Sequence, residues 1–170
     1  PIIPEQVIRG GFKMQKTDKE TGQAQAQGAA SLQNATYTVT NVSGKSVRVG
    51  GKDYANNTVC YTFKTDENGR YTSPADLLPY GNYRINETVA SNGYLLNTGW
   101  SANVNIRTDG TIIDLTGNKV PEQIIRGGFK IQKRDKETGQ AIPQGLGSLQ
   151  NATFTVANIS GKSVRVGGVD

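Results

Sequence analysis

The sequence predicts an all-β protein, a β-sandwich repeated in tandem, and three observations lead to this prediction. Apolar and polar residues alternate in short windows, as they do in half-buried strands. Turn-forming residues separate these windows, and Gly alone provides 21 of the 170 residues. A stretch of fifty residues occurs twice. No segment of useful length carries the 3.6-residue period of a helix.

The alternating windows predict eight short strands in chain order, at 12–17, 35–40, 47–49, 59–63, 83–87, 104–106, 112–115 and 119–125. In the fourth window, Val59, Tyr61 and Phe63 are expected to face inward, which places Cys60 on the opposite face. Many short strands joined by turns favour an Ig-like β-sandwich with Greek-key pairing.

Polar turn sequences separate the predicted strands. The segments 18–22 (DKETG), 43–45 (SGK) and 66–69 (DENG) each combine Gly with Asp, Asn or Ser. The segment 108–110 (TDG) is expected to be a hairpin turn between the sixth and seventh strands. DKETG and DENG do not match the spacing of a calcium loop, so turn chemistry explains them and no metal or cofactor is expected.

The repeat defines the domain organisation. Residues 4–53 and 121–170 are identical at 39 of 50 positions, with a period of 117 residues. That period is the size of a whole domain rather than of a solenoid turn. We therefore expect residues 1–120 to form one complete repeat and residues 121–170 to supply the opening strands of a second, incomplete one.

Composition excludes several classes of function. The net charge of +5 is spread along the chain, without the basic stripe of a nucleic-acid-binding protein. The absence of histidine removes Ser-His-Asp and Cys-His catalysis, so an enzyme is not expected. The single cysteine cannot form an intramolecular disulfide. No apolar run is long enough to insert into a membrane.

Two charged residues interrupt the alternation of the strands. Lys16 is in phase with Phe12 and Met14, and Glu87 is in phase with Tyr83 and Ile85. Because burying an unpaired charge is costly, the phase favours a buried Lys16–Glu87 salt bridge. The reactive alternative is an amide crosslink: desolvation lowers the pKa of a lysine and raises that of a glutamate, and a neutral amine can attack a nearby carboxamide.

Four segments resemble the Cna B-type (SpaA-like, prealbumin-fold) repeats of Gram-positive surface adhesins and pilins. They are QKTDKETG at 15–22, LQNATYTV at 32–39, LPYGNYRINETVASNGY at 78–94 and RTDGTIIDL at 107–115. The resemblance covers the whole first repeat and all of the second copy. It implies a prealbumin-like sandwich, export, sortase-dependent attachment to the cell wall or a pilus, and a stalk role.

The resemblance also implies an autocatalytic Lys–Asn isopeptide bond. Matched by motif, Lys16 is the lysine and Glu87 the assisting glutamate, and Lys133 is the lysine of the second copy. Asn118 is the predicted acceptor in the last strand. Spacing to the next lysine instead places Glu122 in the acceptor position, and there the crosslink gives way to a salt bridge with Lys16. Asp114 is a more distant candidate.

The predicted function is therefore a structural spacer on the bacterial surface, with neighbouring repeats of the same chain as partners. The alternative is an adhesin module that recognises a host protein or carbohydrate through exposed aromatic residues. Trp100, Tyr94 and Tyr54 are the candidates for that surface, although a lone Trp in an all-β domain belongs more often to the core.

Overall fold

The fold is organised around its long first strand, β1 (Arg9–Asp18). The computed structural model describes all residues, 1–170, and contains strands and turns but no helix. The predicted all-β class is confirmed. No helix in the structure could span a membrane.

Ten further strands follow β1, and all are short except β8. They are β2 (Thr36–Asn41), β3 (Val47–Val49), β4 (Lys52–Tyr54), β5 (Val59–Lys64), β6 (Arg70–Thr72), β7 (Leu78–Pro79), β8 (Gly81–Val89), β9 (Ser101–Ile106), β10 (Thr111–Asp114) and β11 (Val120–Glu122).

The strands form two main sheets and a separate hairpin. In sheet 1, β1 pairs antiparallel with β7 and β6, and parallel with β10 and β11. Sheet 2 has the order β5-β2-β8-β9, with every pair antiparallel. β3 and β4 form the hairpin. Since parallel neighbours need a long connection, β1 and β11 enclose almost the whole domain between them.

The core lies between the two sheets. Phe12 and Met14 of β1 face Tyr37 of β2 and Tyr83 of β8, and none of these side chains is more than 1% exposed. The rings of Phe12 and Phe63 lie 5.3 Å apart. Burial of each large apolar side chain contributes about 1.5–3 kcal/mol, so the predicted alternation supplies the packing that joins the sheets.

The predicted phase of β5 is wrong at its start. Val59 is 46% exposed and Cys60 is 3% exposed, within the core. The pairing shifts between Val39, which faces Tyr61, and Thr40, which faces Val59. Cys60 is thus the extra residue of a β-bulge, which reverses the inward face of the strand before it.

The turn at residues 108–110 does not close a hairpin. β9 pairs with β8 in sheet 2, whereas β10 pairs with β1 in sheet 1. The chain therefore crosses from one sheet to the other at this turn. Periodicity marks both strands but does not show which partner each will choose.

Two compact units divide the chain. The first contains Pro1–Ile125 together with Ser160–Asp170, and the second contains Arg126–Ile159. The second unit has turns but no strand, and its Phe129 is 67% exposed. Residues 121 and 122 lie in β11 and so belong to the first unit. That residues 121–170 open a second sandwich stays a prediction.

Candidate functional site

Lys16 lies at the centre of the candidate site because of two strand registers. In sheet 1, Lys16 pairs with Val120, so Glu122 is its diagonal neighbour on the same face of the parallel pair β1–β11. In sheet 2, Glu87 pairs with Tyr37. The inward faces of the two sheets therefore bring one amine and two carboxyl groups together.

The three charged groups form a buried cluster. Lys16 Nζ lies 3.0 Å from Glu87 Oε1 and 3.3 Å from Glu122 Oε2, and all three side chains are fully buried. Lys16 Nζ also donates a hydrogen bond to Ser91 Oγ at 3.1 Å. The predicted meeting of Lys16 and Glu87 is present in the structure, and Glu122 is the third member.

Glu87 is held in place from two further directions. The Tyr37 hydroxyl donates to Glu87 Oε1 at 3.2 Å, and the backbone N–H of Asn97 donates to Glu87 Oε2 at 2.8 Å. Burial, followed by the negative charges of Glu87 and Glu122, raises the pKa of Tyr37 above its ordinary value. Tyr37 therefore remains a proton donor to this carboxylate.

Glu122 has a different environment from Glu87. Neither of its carboxyl oxygens accepts a hydrogen bond in good geometry, even though the Lys16 amine lies within ion-pair distance. Burial raises the pKa of Glu122 to about 7, against the opposing effect of Lys16, and the charge of Glu87 raises it further. Near neutral pH this carboxyl group is therefore close to half protonated.

The other predicted acceptors lie away from the amine. Asn118 is exposed in the turn that precedes β11, and its backbone N–H bonds to Leu115. Asp114 is exposed and pairs with Lys13 at 2.9 Å. Hydrogen bonds from Thr116 and Lys13 lower the pKa of Asp114 to about 2. The structure thus places Glu122, the predicted alternative, beside Lys16, and places Asn118 at the surface.

Lys133, the counterpart of Lys16 in the second copy, is exposed in a segment without strands. The counterparts of Glu87 and Glu122 in that repeat would fall after Asp170. Lys133 therefore has no equivalent carboxyl groups in this chain, and its role in a crosslink stays a prediction.

A second buried carboxylate, which the sequence analysis did not identify, supports the end of β1. Asp18 accepts backbone hydrogen bonds from Glu20 and Thr21 at 2.9 Å each. Its oxygens also accept bonds from Gln27 Nε2 at 3.0 Å and from the Tyr94 hydroxyl at 2.9 Å. The sequence feature that could have identified Asp18 is the DKETG motif, since the turn alone does not account for the side-chain bonds that Asp18 makes to Gln27 and Tyr94. Asp18 also ties residues 18–27 to Tyr94, beside the register position of Glu122.

The aromatic residues proposed for ligand recognition are mostly internal. Tyr94 is 3% exposed and Trp100 is 8% exposed, with the Trp100 ring edge-on to Tyr37. Tyr54 is half-buried in β4. Tyr94 and Trp100 therefore contribute to packing and present no face to a ligand.

Comparison with known proteins agrees with this architecture. The model of the SpaA family, described as a prealbumin-like fold domain, matches residues 10–120, from β1 to the start of β11. The chain belongs to the SpaA family. The matched region contains Lys16 and Glu87 and ends two residues before Glu122. The predicted prealbumin-like sandwich is confirmed.

Two solved structures are similar to this SpaA-family chain. One is the TIE protein of Bacillus anthracis, with 27% identity, a TM-score of 0.47, and coverage of 69% of this chain and 18% of that one. The other is the pilus 2b backbone protein of group B streptococcus, with 21% identity, a TM-score of 0.45, and coverage of 68% and 41%. The chain thus spans less than half the length of either protein. A search of curated proteins found no match.

Proposed function

We propose that this SpaA-family repeat is a structural spacer of a Gram-positive surface adhesin or pilin, and that an amide bond from Lys16 to Glu122 joins its first strand to its last. Family membership supports the structural role at the cell surface. The observation that carries the crosslink is the Lys16 amine 3.3 Å from a fully buried Glu122 carboxyl group that accepts no hydrogen bond.

The proposed reaction joins an amine and a carboxylic acid. In its neutral form the Lys16 amine attacks Cδ of the protonated Glu122 carboxyl group, which forms the C–N bond. Glu87 accepts a proton from the nitrogen and returns it to the departing hydroxyl, so the C–O bond breaks and one water leaves. The Glu122 pKa of about 7 favours the protonated acid that this step requires. The hydrogen bonds from Tyr37 and Asn97 orient Glu87 for the proton transfer.

The strand order supports a mechanical role for this bond. β1 and β11 are parallel neighbours, and the chain enters the domain through β1 and leaves it through β11. Tension on the two ends would shear this pair of strands. A bond between Lys16 and Glu122 would bridge that shear plane, so the residues between them would not extend under load. Such a link needs no cysteine.

The intact mass of the chain tests the proposal, with Lys16→Ala as the variant and Lys133→Ala as the matched control. We expect the wild type and Lys133→Ala to lack the mass of one water, and Lys16→Ala to have its full mass. Loss of one ammonia would identify an Asn acceptor instead. Full mass in all three would leave Lys16, Glu87 and Glu122 as a buried ion-pair cluster and contradict the bond.

A further inference from the structure

Residues 163–169 of the second copy, here named the GG hairpin, form the same turn as their first-copy counterparts at 46–52. Val166 and Val169 exchange backbone hydrogen bonds of 2.8 and 3.1 Å. Gly167 and Gly168 have φ angles of 58° and 84°, against 54° and 79° at Gly50 and Gly51. Both copies therefore build the hairpin tip from the same left-handed glycine pair.

The open edge of the GG hairpin contacts the first repeat. The backbone N–H and C=O groups of Val166 are directed toward Val169, on the inner edge of the hairpin. Because these groups alternate in direction along a strand, the backbone groups of Arg165 and Ser163 are directed to the outer, unpaired edge. The Arg165 N–H donates to Gln27 Oε1 at 2.7 Å, and the Gly28 N–H donates to the Ser163 carbonyl at 2.9 Å.

The contact is close as well as hydrogen-bonded. A Cβ atom at Gly28 would lie 2.9 Å from the Val164 Cγ1 atom, so a side chain there would push the hairpin away; the φ of 53°, which Gly145 shares, also favours glycine. Lys162 Nζ adds a hydrogen bond to the Ala30 carbonyl at 3.3 Å. Gln27 is at the same time fixed by its bonds to Asp18, so its acceptor oxygen is presented in one orientation.

The two sequences keep both sides of this contact. Residues 43–51 and 160–168 are identical, and Gln27–Gly28 recurs as Gln144–Gly145. The residues around the Gln-Gly pair are not kept, because four of the eleven differences between the copies fall at positions 25, 26, 29 and 30. The contact is therefore available in both copies, and the identity also has causes within each copy: Val47 and Val49 belong to the core, and Gln27 and Gln144 each bond to the Asp nine residues before them.

We propose that the Gln27–Gly28 pair is a docking site between consecutive repeats, and that its partner is the open edge of the GG hairpin of the following copy. The proposal rests on the tandem arrangement in the proposed function, and it does not depend on the Lys16 crosslink. Gln144–Gly145, the counterpart of this pair in the second copy, would bind the GG hairpin of a further copy in the same way.

The contact is too small to hold two separate chains together. Three hydrogen bonds and one valine are far less than the roughly 1,000 Å² that a stable interface between separate proteins buries. Residues 126–159, however, join the hairpin covalently to the first repeat, and a covalent tether raises the effective concentration of the hairpin to about the mM range. The site therefore orients consecutive repeats in one chain and does not associate separate chains.

Hydrogen exchange of backbone amides in the full chain tests the docking site, with Gly145 as the internal reference for Gly28. We expect the Gly28 amide to exchange about three- to tenfold more slowly than that of Gly145, the effect of one net hydrogen bond. Arg165→Pro, which removes the N–H donated to Gln27, and Val164→Asp, which places a charge beside Gly28, should each abolish most of this difference.

Val169→Lys is the matched control, because it gives the second hairpin the residue of the first and leaves the docking edge intact. It should preserve the slow exchange of Gly28. Equal exchange at Gly28 and Gly145, or slow exchange at Gly28 that both docking variants leave unchanged, would overturn the proposal. The intact mass of the same samples reports separately on Lys16, so the failure of one proposal can be told from the failure of the other.

Discussion

Two segments with nearly the same sequence have different structures in this chain. Residues 9–42 supply β1 and β2, whereas their counterparts, residues 126–159, contain no strand. Phe12 is fully buried and its counterpart Phe129 is 67% exposed. With 39 of 50 paired positions identical, residue identity does not account for the difference.

The turns of the two copies, in contrast, are the same. Gly22 and Gly139 both have a φ of 70°, and both donate a backbone bond to the Asp that opens DKETG. Asn34 and Asn151 have φ angles of 63° and 59°. Local chemistry is sufficient for these features. The strands need partners, and every strand that pairs with β1 or β2 follows residue 53 in the chain.

The largest difference between the copies should appear at the two lysines. We predict that Lys16→Ala lowers the free energy of unfolding by about 3–5 kcal/mol, since it removes the proposed link to Glu122 and leaves the Glu87 and Glu122 carboxyl groups buried without a partner on β1. Lys133→Ala should change it by less than about 0.5 kcal/mol, as expected for an exposed side chain. Urea unfolding of both variants measures the comparison, and equal losses would show that the cluster around Lys16 adds no stability.

The pH dependence isolates Glu122 in a background that cannot form the amide. In Lys16→Met, the folded pKa of Glu122 stays above its ordinary value of 4.5, because burial alone disfavours the carboxylate. The folded state then holds the proton more tightly than the unfolded state. Stability from this group is therefore fully present below pH 4.5 and is lost as the pH rises through the folded pKa, which is about 7 with Lys16 in place and is raised further when the amine that lowers it is removed.

The free energy of unfolding of Lys16→Met should fall by roughly 3 kcal/mol as the pH rises from 4.5 to neutral values. Adding Glu122→Gln to Lys16→Met should remove the slope, whereas adding Glu5→Gln, at the exposed counterpart of Glu122, should leave it unchanged. Unfolding curves at pH 4.5 and 7.5 provide the measurement. An identical slope in the two double variants would mean that Glu122 is not the titrating group.

A smaller effect is expected at Tyr37, whose counterpart in the second copy is already phenylalanine. Tyr37→Phe removes the hydroxyl that donates to Glu87 and should cost about 1.5–3 kcal/mol, the range for a buried hydrogen bond to a charged group. Phe154→Tyr, at an exposed side chain, should be neutral. Thermal unfolding of the two variants gives the comparison, and a neutral Tyr37→Phe would show that Glu87 does not need this donor.

The smallest difference should appear at the hairpin glycines. Gly50 and Gly167 both have a left-handed φ, and neither would bring a Cβ atom within 4 Å of another group. Gly50→Ala should cost about 1–2 kcal/mol through backbone strain alone. Gly167→Ala should weaken only the small docking contact and change the free energy of unfolding of the first repeat by less than about 0.5 kcal/mol, so a loss as large as that of Gly50→Ala would contradict the expectation.

The features that the sequence predicts correctly are those that depend on strand periodicity or on local turn chemistry. Alternation identified eight of the eleven strands and the inward direction of Lys16 and Glu87, but it did not reveal the short strands β4, β6 and β7. It could not show the bulge at Cys60, because a register shift belongs to a strand pair and not to one strand. The choice of Asn118 over Glu122 was made on chemical type, whereas the parallel register of β1 and β11 decides which residue reaches the amine.

The position of Glu122 shows that the spacing between the repeats carries structural information. The period placed Glu122 at the acceptor position, and the structure places it beside Lys16. Ser91 and Asn97 were not identified, since both come from the loop between β8 and β9, where no period applies. Only the folded structure shows that Ser91 accepts a hydrogen bond from Lys16 and that the Asn97 N–H donates one to Glu87.

Peptide mapping of the digested wild-type chain detects the proposed bond between Lys16 and Glu122 itself. We expect one branched species, in which the peptide containing Lys16 is joined to the peptide containing Glu122, while the peptide containing Lys133 is unmodified. Fragmentation should locate the bond at these two side chains. Recovery of the Lys16 and Glu122 peptides only as separate, unmodified species would contradict the crosslink.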